Sequence, residues 1–401
     1  MLASIASPKE FVQRPAMARP GSAARFTLDG GDELERHLAR ACGTILNGVQ
    51  NLIPPRKLEA LLLGGGYGRG EGGVLKTESG DRPYNDLEFY VFVRGHDWLN
   101  ERRFGRKLRH LAHELAPEVG VEVEFKIISS AKLRRDPGSM FYYDLVVGHR
   151  RLLGDENLLT GCEHHFDARN IPLSEAARLL MNRCSGLLFA REKLKHVGFT
   201  AADADFVCRN IAKAQLAFGD AVLAAFGKYH WSCLKRNERL QQLSAADIPW
   251  PDALRYHHDA GLLFKLRPPQ MPPSRAALQR RHKSVAAFAL KVWLWLESRR
   301  LGLHFISARD YALNPLDKCP DTNPWRNRLV NVKAFGPAAF FSKRGGRHPR
   351  EGILNALALL LWEPAALDLK LRPWLRDELR QPVNLGESLA EVYEESWRQF
   401  N

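Results

Sequence analysis

Apolar and polar residues take turns with a period of two in short stretches of the first 130 positions, and recur at helical spacing through most of the chain after residue 160. LEALLL (58–63) is a short apolar strand that runs straight into glycine. In NDLEFYVFV (85–93), Leu87, Phe89, Val91 and Val93 alternate with Asp86, Glu88, Tyr90 and Phe92, the mark of a half-buried strand. VEVEFKIIS (121–129) puts Val121, Val123, Phe125 and Ile127 on one face of a third strand. Residues 32–50 carry Leu34, Leu38, Cys42, Ile45 and Leu46 at helical spacing, residues 101–116 read as another helix, and DLVVGHRRLLGD (144–155) as a final strand or hairpin. Further on, helices are predicted over 174–196, 203–227, 275–300, 351–363 and 387–399, separated by proline-rich breaks such as RPPQMPPS (267–274). Residues 1–28 show no periodic apolar face and no apolar core of a signal peptide, and are predicted to be a disordered tail. The pattern divides the chain into an α+β domain over 29–160 and an all-helical domain over 161–401.

Composition narrows the class of partner. The 401 residues are 45% apolar and 26% charged, ordinary globular values that exclude a disordered or collagen-like chain. No apolar run approaches the roughly 18–20 residues of a membrane span, so no membrane partner is expected. Lys and Arg number 59 against 45 Asp and Glu, a net charge of +14 that favours anionic partners such as nucleotides, nucleic acid or an acidic surface. Cys42, Cys162, Cys184, Cys208, Cys233 and Cys319 are scattered without a C-x-x-C pair, which predicts reduced thiols in a cytoplasmic protein.

The candidate chemistry lies between the first two strands. Gly64, Gly65, Gly66, Gly68, Gly70, Gly72 and Gly73 crowd into ten positions, where exposed backbone N–H groups can form a cradle for an anion. A Walker A loop would need G-K-[ST], which is absent. The G-x-G-x-x-G at Gly68, Gly70 and Gly73 would need an amphipathic helix directly after it, and VLKTESGDRPYND has no apolar helical face. The third possibility couples the loop to the next strand: Asp86 and Glu88, two apart, point to one side and repel each other unless a cation lies between them. Taken alone, the pair also suits the solvated face of an edge strand, and the glycine run a flexible hairpin tip.

LLLGGGYGRGEGG followed by YNDLEFYVFV resembles the signature of the DNA polymerase β-like nucleotidyltransferase superfamily, a strand, a glycine turn, a short helix and a strand bearing two acids one residue apart. VEVEF resembles the third acidic strand of aminoglycoside nucleotidyltransferases, with Glu122 rather than Glu124 the favoured third acid. The resemblance covers about residues 55–155 and departs from the family in having Glu at the second acid and Gly where a serine is usual. It implies a small mixed sheet with flanking helices followed by a helical domain, and a Mg²⁺-dependent transfer (Mn²⁺ as the substitute) of a nucleoside monophosphate from an NTP such as ATP to a hydroxyl or amine, releasing pyrophosphate. Asp86 and Glu88 would hold the metal. Gly64, Gly65, Gly66 and Gly68 would bind triphosphate, with Arg69 either a phosphate donor or a surface arginine, and Lys213 reaching phosphates from the helical domain. Asp220 is a further candidate, as general base, while Arg209 stands where the aminoglycoside enzymes carry a glutamate. The acceptor (small molecule, protein or RNA end) and the oligomeric state are open. So are two other readings: a catalytically idle nucleotide-binding or toxin-neutralising member of the fold, and a basic nucleic-acid-binding protein.

The remaining motifs read more simply as structure. GCEHHFD (161–167) and YHHDAG (256–261) lack the ligand spacing of a zinc site. AAFALKVWLWLES reads as core, and SKRGGRHPR (342–350) as a solvated basic loop.

Overall fold

The structure is a computed structural model that describes residues 25–244, 246, 248–342, 344–364, 371–380 and 388–400. In chain order it runs through α1 (Asp32–Leu52), β1 (Leu58–Leu63), the one-turn helix α2 (Gly65–Gly68), β2 (Val74–Thr77), β3 (Gly80–Pro83) and β4 (Leu87–Val93). Then come α3 (Asp97–Asn100), α4 (Arg106–Val119), β5 (Val123–Ile128), α5 (Ser130–Arg135), α6 (Met140–Val147) and β6 (Arg150–Leu153). The rest is helical: α7 (Leu173–Lys195), α8 (Ala201–Ala225), α9 (Cys233–Gln242), α10 (Pro251–Leu266), α11 (Arg275–Leu301), α12 (Ala308–Leu313), α13 (Pro324–Phe335), α14 (Arg350–Trp362), α15 (Leu371–Leu379) and α16 (Leu389–Phe400). No helix among the described residues is long and apolar enough to cross a membrane.

The result is an α+β protein with a small mixed sheet. Strand order is β5-β4-β1-β6, with β4 parallel to β5 and β1 antiparallel to both β4 and β6. Period-two alternation gives each strand two faces. Leu61, Leu63, Leu87, Phe89, Val91, Val93 and Val123 pack beneath α1 and α4 in one core. On the opposite face Ala60, Leu62, Tyr90, Phe92 and Ile128 pack with α5 and α6 in a second, smaller core. Asp86, Glu88, Glu122 and Glu124 share the parity of that second face, which is also the side that meets the helical half.

Several elements differ from the sequence-based expectation, each for a physical reason. Residues 1–24 of the predicted tail lie outside the described residues, but the expectation fails for its end. Phe26 and Thr27 are buried, their N–H groups donate to the Glu35 carboxylate at 2.7 and 3.0 Å, and Phe26 O accepts from Gly72 N at 3.0 Å. Residues 144–155 split into the last turn of α6 and strand β6 rather than one strand, because Ser139 caps α6 by accepting from Tyr142 N. VLKTESGDRP forms the β2–β3 hairpin. Helices α9, α10, α12, α13 and α15 were not anticipated; their apolar faces are short and punctuated by charge. SKRGGRHPR is not a solvated loop: Arg347 pairs with Glu351 at 2.7 Å, Arg344 pairs with the buried Glu378, and Arg350 donates to Phe400 O at 3.2 Å. Trp293, from AAFALKVWLWLES, is fully buried between Tyr311 and Trp362.

The sheet and the helices are bolted together through the glycine loop. Arg69 donates to Asp144 at 2.9 Å and to Trp231 O at 2.8 Å. Glu71 is buried and accepts from Cys233 N at 2.9 Å, from Cys233 Sγ at 3.0 Å and from the Ser232 hydroxyl, so it caps the start of α9. The close approach at Gly68 is equally structural: a Cβ there would lie 2.2 Å from Leu63 O. Gly68→Ala is therefore expected to cost about 1–3 kcal/mol. Gly43→Ala, where a Cβ meets nothing within 4 Å on exposed α1, should gain about 0.5–1 kcal/mol. Urea unfolding of the two variants checks both signs.

Candidate functional site

The chain leaves β1 at Leu63 and turns over glycine. Gly65 sits at φ +59°, a left-handed conformation that a side chain disfavours, and a Cβ on it would lie 2.8 Å from Glu88 Oε1. The loop thus presses its backbone directly against the carboxylate of Glu88. Gly64 N donates to Glu88 O at 2.8 Å and Gly68 N to Gly64 O at 2.9 Å, so those two donors are engaged within the protein. The first donors of a helix have no intrahelical partner, which leaves Gly65 and Gly66 in the position to offer N–H groups outward. Tyr67 holds the turn in register: its hydroxyl donates to Gly73 O at 2.8 Å and accepts from Tyr84 N at 2.9 Å, two residues before Asp86.

The acids lie beside this turn. The register of β4 and β5 pairs Glu88 with Glu124 and Leu87 with Val123, while Leu87 N donates to Glu122 O at 2.9 Å. Glu124 therefore stands directly across from Glu88, and Glu122 one step earlier, level with Asp86. Asp86 and Glu88 are half-buried, whereas Glu122 and Glu124 are exposed. The Glu88 carboxylate is oriented by the buried Tyr90, whose hydroxyl donates to Oε2 at 2.8 Å. Burial pushes the Asp86 carboxyl above its ordinary value, and the charges of Glu88 and Glu122 push the same way against Lys213. Glu124 is also raised, by burial and then by Asp86. The crowding of negative charge is what a divalent cation would relieve, and carboxylate oxygens are the donors Mg²⁺ prefers. No group of three or more His, Cys, Asp or Glu side chains gathers at metal-holding distance among the described residues. The donor set therefore fits a cation held by Asp86 and Glu88 alone, its other positions left to water or substrate oxygens, rather than a cage completed by Glu122 or Glu124.

From the helical half, Lys213 on α8 faces these acids. Its ammonium is open to solvent, yet burial of its surroundings, then Arg183 and Arg209, draw its pKa below the ordinary lysine value, while Asp86 and Glu88 oppose this. Tyr84 reaches across to α8, donating to Asp205 at 2.8 Å, and Asp205 in turn pairs with Arg209 at 2.9 Å. Arg69, by contrast, is neither a surface arginine nor available to a phosphate, because Asp144 and Trp231 occupy its guanidinium. Asp220 is not placed to serve as a base: it is buried and paired with Arg236 at 3.1 Å and His258 at 3.3 Å. Glu71 as a cap for α9, Tyr90 as the orienting partner of Glu88 and Arg183 on α7 were missed from the sequence. A charged residue locked inside a glycine run was the available sign for Glu71; nothing in the sequence marks the other two.

No protein-family model matches this chain, and no curated protein matches it. Among solved structures, spectinomycin adenyltransferase from Enterococcus faecialis, solved with ATP and spectinomycin, aligns over 60% of this chain and 99% of its own, with 16% identity and a TM-score of 0.30.

Two outcomes follow from the electrostatics. A raised carboxyl contributes stability below its unfolded-state pKa and loses it as pH rises through the folded value. Asp86→Asn should therefore raise the melting temperature at pH 7 and lose that advantage below the ordinary aspartate value of 3.8. For Asp220, burial works upward, but Arg236 and His258 hold the carboxyl below its ordinary value, so its contribution is present above 3.8 and fades as pH falls through the folded value. Asp220→Asn should cost about 3–5 kcal/mol at neutral pH by stranding Arg236, with a shrinking difference in acid, read from urea midpoints.

Proposed function

We propose that this protein is a polymerase-β-like nucleotidyltransferase, with the catalytic domain in residues 29–160 and the second wall of its cleft in the helical residues 161–401. It transfers a nucleoside monophosphate from an NTP to a hydroxyl or amine acceptor. The observation that carries this reading is the contact between the Gly65 turn and the Glu88 carboxylate, with Asp86 beside it and an unpaired Lys213 opposite. A bare acidic pair invites a cation, a backbone turn and an ammonium invite phosphate, and a metal–nucleotide complex is the ligand that carries both.

In this reading Asp86 and Glu88 hold Mg²⁺, which neutralises charge on the phosphates when bound. Gly65 and Gly66 N–H groups and the Lys213 ammonium bind and orient the triphosphate. The acceptor oxygen or nitrogen bonds to the α-phosphorus, the bond from that phosphorus to the bridging oxygen breaks, and the electron pair leaves with pyrophosphate. The acceptor proton passes to Glu124, whose raised pKa suits it to accept one near neutral pH and whose exposure on the open side of the sheet lets an acceptor reach it. Glu122 adds to the field on Asp86 without touching substrate. Tyr90 keeps Glu88 aimed at the turn.

The purified protein should release pyrophosphate from one or more NTPs in the presence of Mg²⁺ and a suitable acceptor, with the added nucleotide mass visible on the acceptor by mass spectrometry. Asp86→Asn and Glu88→Gln should each lower the rate by about a hundredfold or more while the protein stays folded. Mg²⁺–NTP should raise the melting temperature of the native protein and not that of Asp86→Asn. Stabilisation by NTP that is independent of Mg²⁺ and of Asp86, with no pyrophosphate formed from any NTP, would sink the proposal.

A further inference from the structure

Helices α7 and α8 form a hairpin joined by residues 196–200. Their backbones come close where Gly186 meets Asn210, since a Cβ on Gly186 would lie 2.2 Å from Asn210 Oδ1. In an antiparallel pair, a residue three before the contact on one helix stands level with a residue three after it on the other, each on the contacting side. Those residues are Arg183 and Lys213. The two cations duly act on one another, and both feel the negative charge of Glu88. Lys213 is influenced by Asp86 more than by Glu88, whereas Glu88 is the acid of the pair felt at Arg183. Arg183 thus lies toward the Glu88 end of the cleft, the end over which the Gly65 turn is pressed.

The bonding around Arg183 singles it out. Arg69, Arg209 and Arg236, its neighbours in the cleft, are each ion-paired, to Asp144, Asp205 and Asp220. Among the described residues Arg183 makes no hydrogen bond or ion pair, although its side chain is half-buried. A partly desolvated guanidinium without an anion is costly, and its five-donor fork matches phosphate better than it matches a point charge.

We propose that Arg183 and Lys213 form a two-armed polyphosphate clamp, in which Arg183 grips the terminal phosphates above the Gly65 turn and so selects nucleoside triphosphates over monophosphates. The clamp rests on the nucleotide-binding reading of this cleft but assigns a ligand to a residue outside it. Titration calorimetry with Mg²⁺ and three probes, ATP, AMP and inorganic pyrophosphate, tests it on the full chain. Arg183→Gln should weaken ATP and pyrophosphate by about tenfold or more and leave AMP within about twofold, with an unchanged melting temperature. Arg183→Lys, which keeps the charge without the fork, should fall between, weakening pyrophosphate about threefold. Pyrophosphate affinity unchanged in a folded Arg183→Gln overturns the clamp, as does an equal loss for AMP. If Arg183→Gln does not fold, the same two criteria apply to Arg183→Lys. Pyrophosphate binding that depends on Arg183 in a protein that binds no NTP would leave the clamp standing and remove the nucleotidyltransferase reading. A native protein that does not bind pyrophosphate removes the clamp.

Discussion

Two sets of like charges face each other across a gap that neither closes. On the sheet side Asp86 and Glu88 repel one another beside the glycine turn; on the helical side Arg183 and Lys213 do the same. No ion pair joins the two walls among the described residues. In a protein free to relax, opposite charges at such proximity would collapse into salt bridges. Here they are held apart, and the frustrated electrostatics on both sides is what makes the cleft ready for a ligand that is itself a cation joined to a polyanion.

What holds the walls apart is a ring of fully committed bonds around the cleft. Glu71 caps α9, Arg69 joins Asp144 to the Trp231 carbonyl, Tyr84 reaches Asp205, and Asp220 is sealed between Arg236 and His258. Each of these polar groups has its charge answered inside the protein, and each lies between the sheet and the helical half or directly under their junction. Removing water from such pairs leaves little net stabilisation, so their worth is in fixing position. The glycine loop carries both Arg69 and Glu71, which makes it a structural splice as well as a cradle. It is rigid at its two ends and open only at the Gly65–Gly66 turn.

The same division explains which charged residues take part in the proposed chemistry. Partnered groups are structural, however suggestive their place in the sequence; groups with an unanswered charge in the cleft are the ones available to a substrate. By that criterion Arg69 and Asp220 leave the candidate set, Arg183 enters it, and Glu124 gains on Glu122 because the parallel register sets it beside Glu88. Tyr90 belongs to neither class: it spends its hydroxyl on aiming a carboxylate and is buried to do so.

Much of the site was legible before any coordinates. The period-two pattern of 85–93 dictated that Asp86 and Glu88 share a face, and seven glycines after an apolar strand implied a tight turn with exposed backbone, because both are consequences of local stereochemistry. The five longest helical stretches were likewise readable from spacing alone. Register between strands, the close contact of Gly65 with Glu88, the pairing of Arg69 with a residue 75 positions away and the levelling of Arg183 with Lys213 were not. Those depend on which elements meet in space, and a sequence states a residue's charge without stating whether a distant partner will neutralise it. Local geometry was thus the chain's own to determine, and the availability of each charged group was decided only by packing.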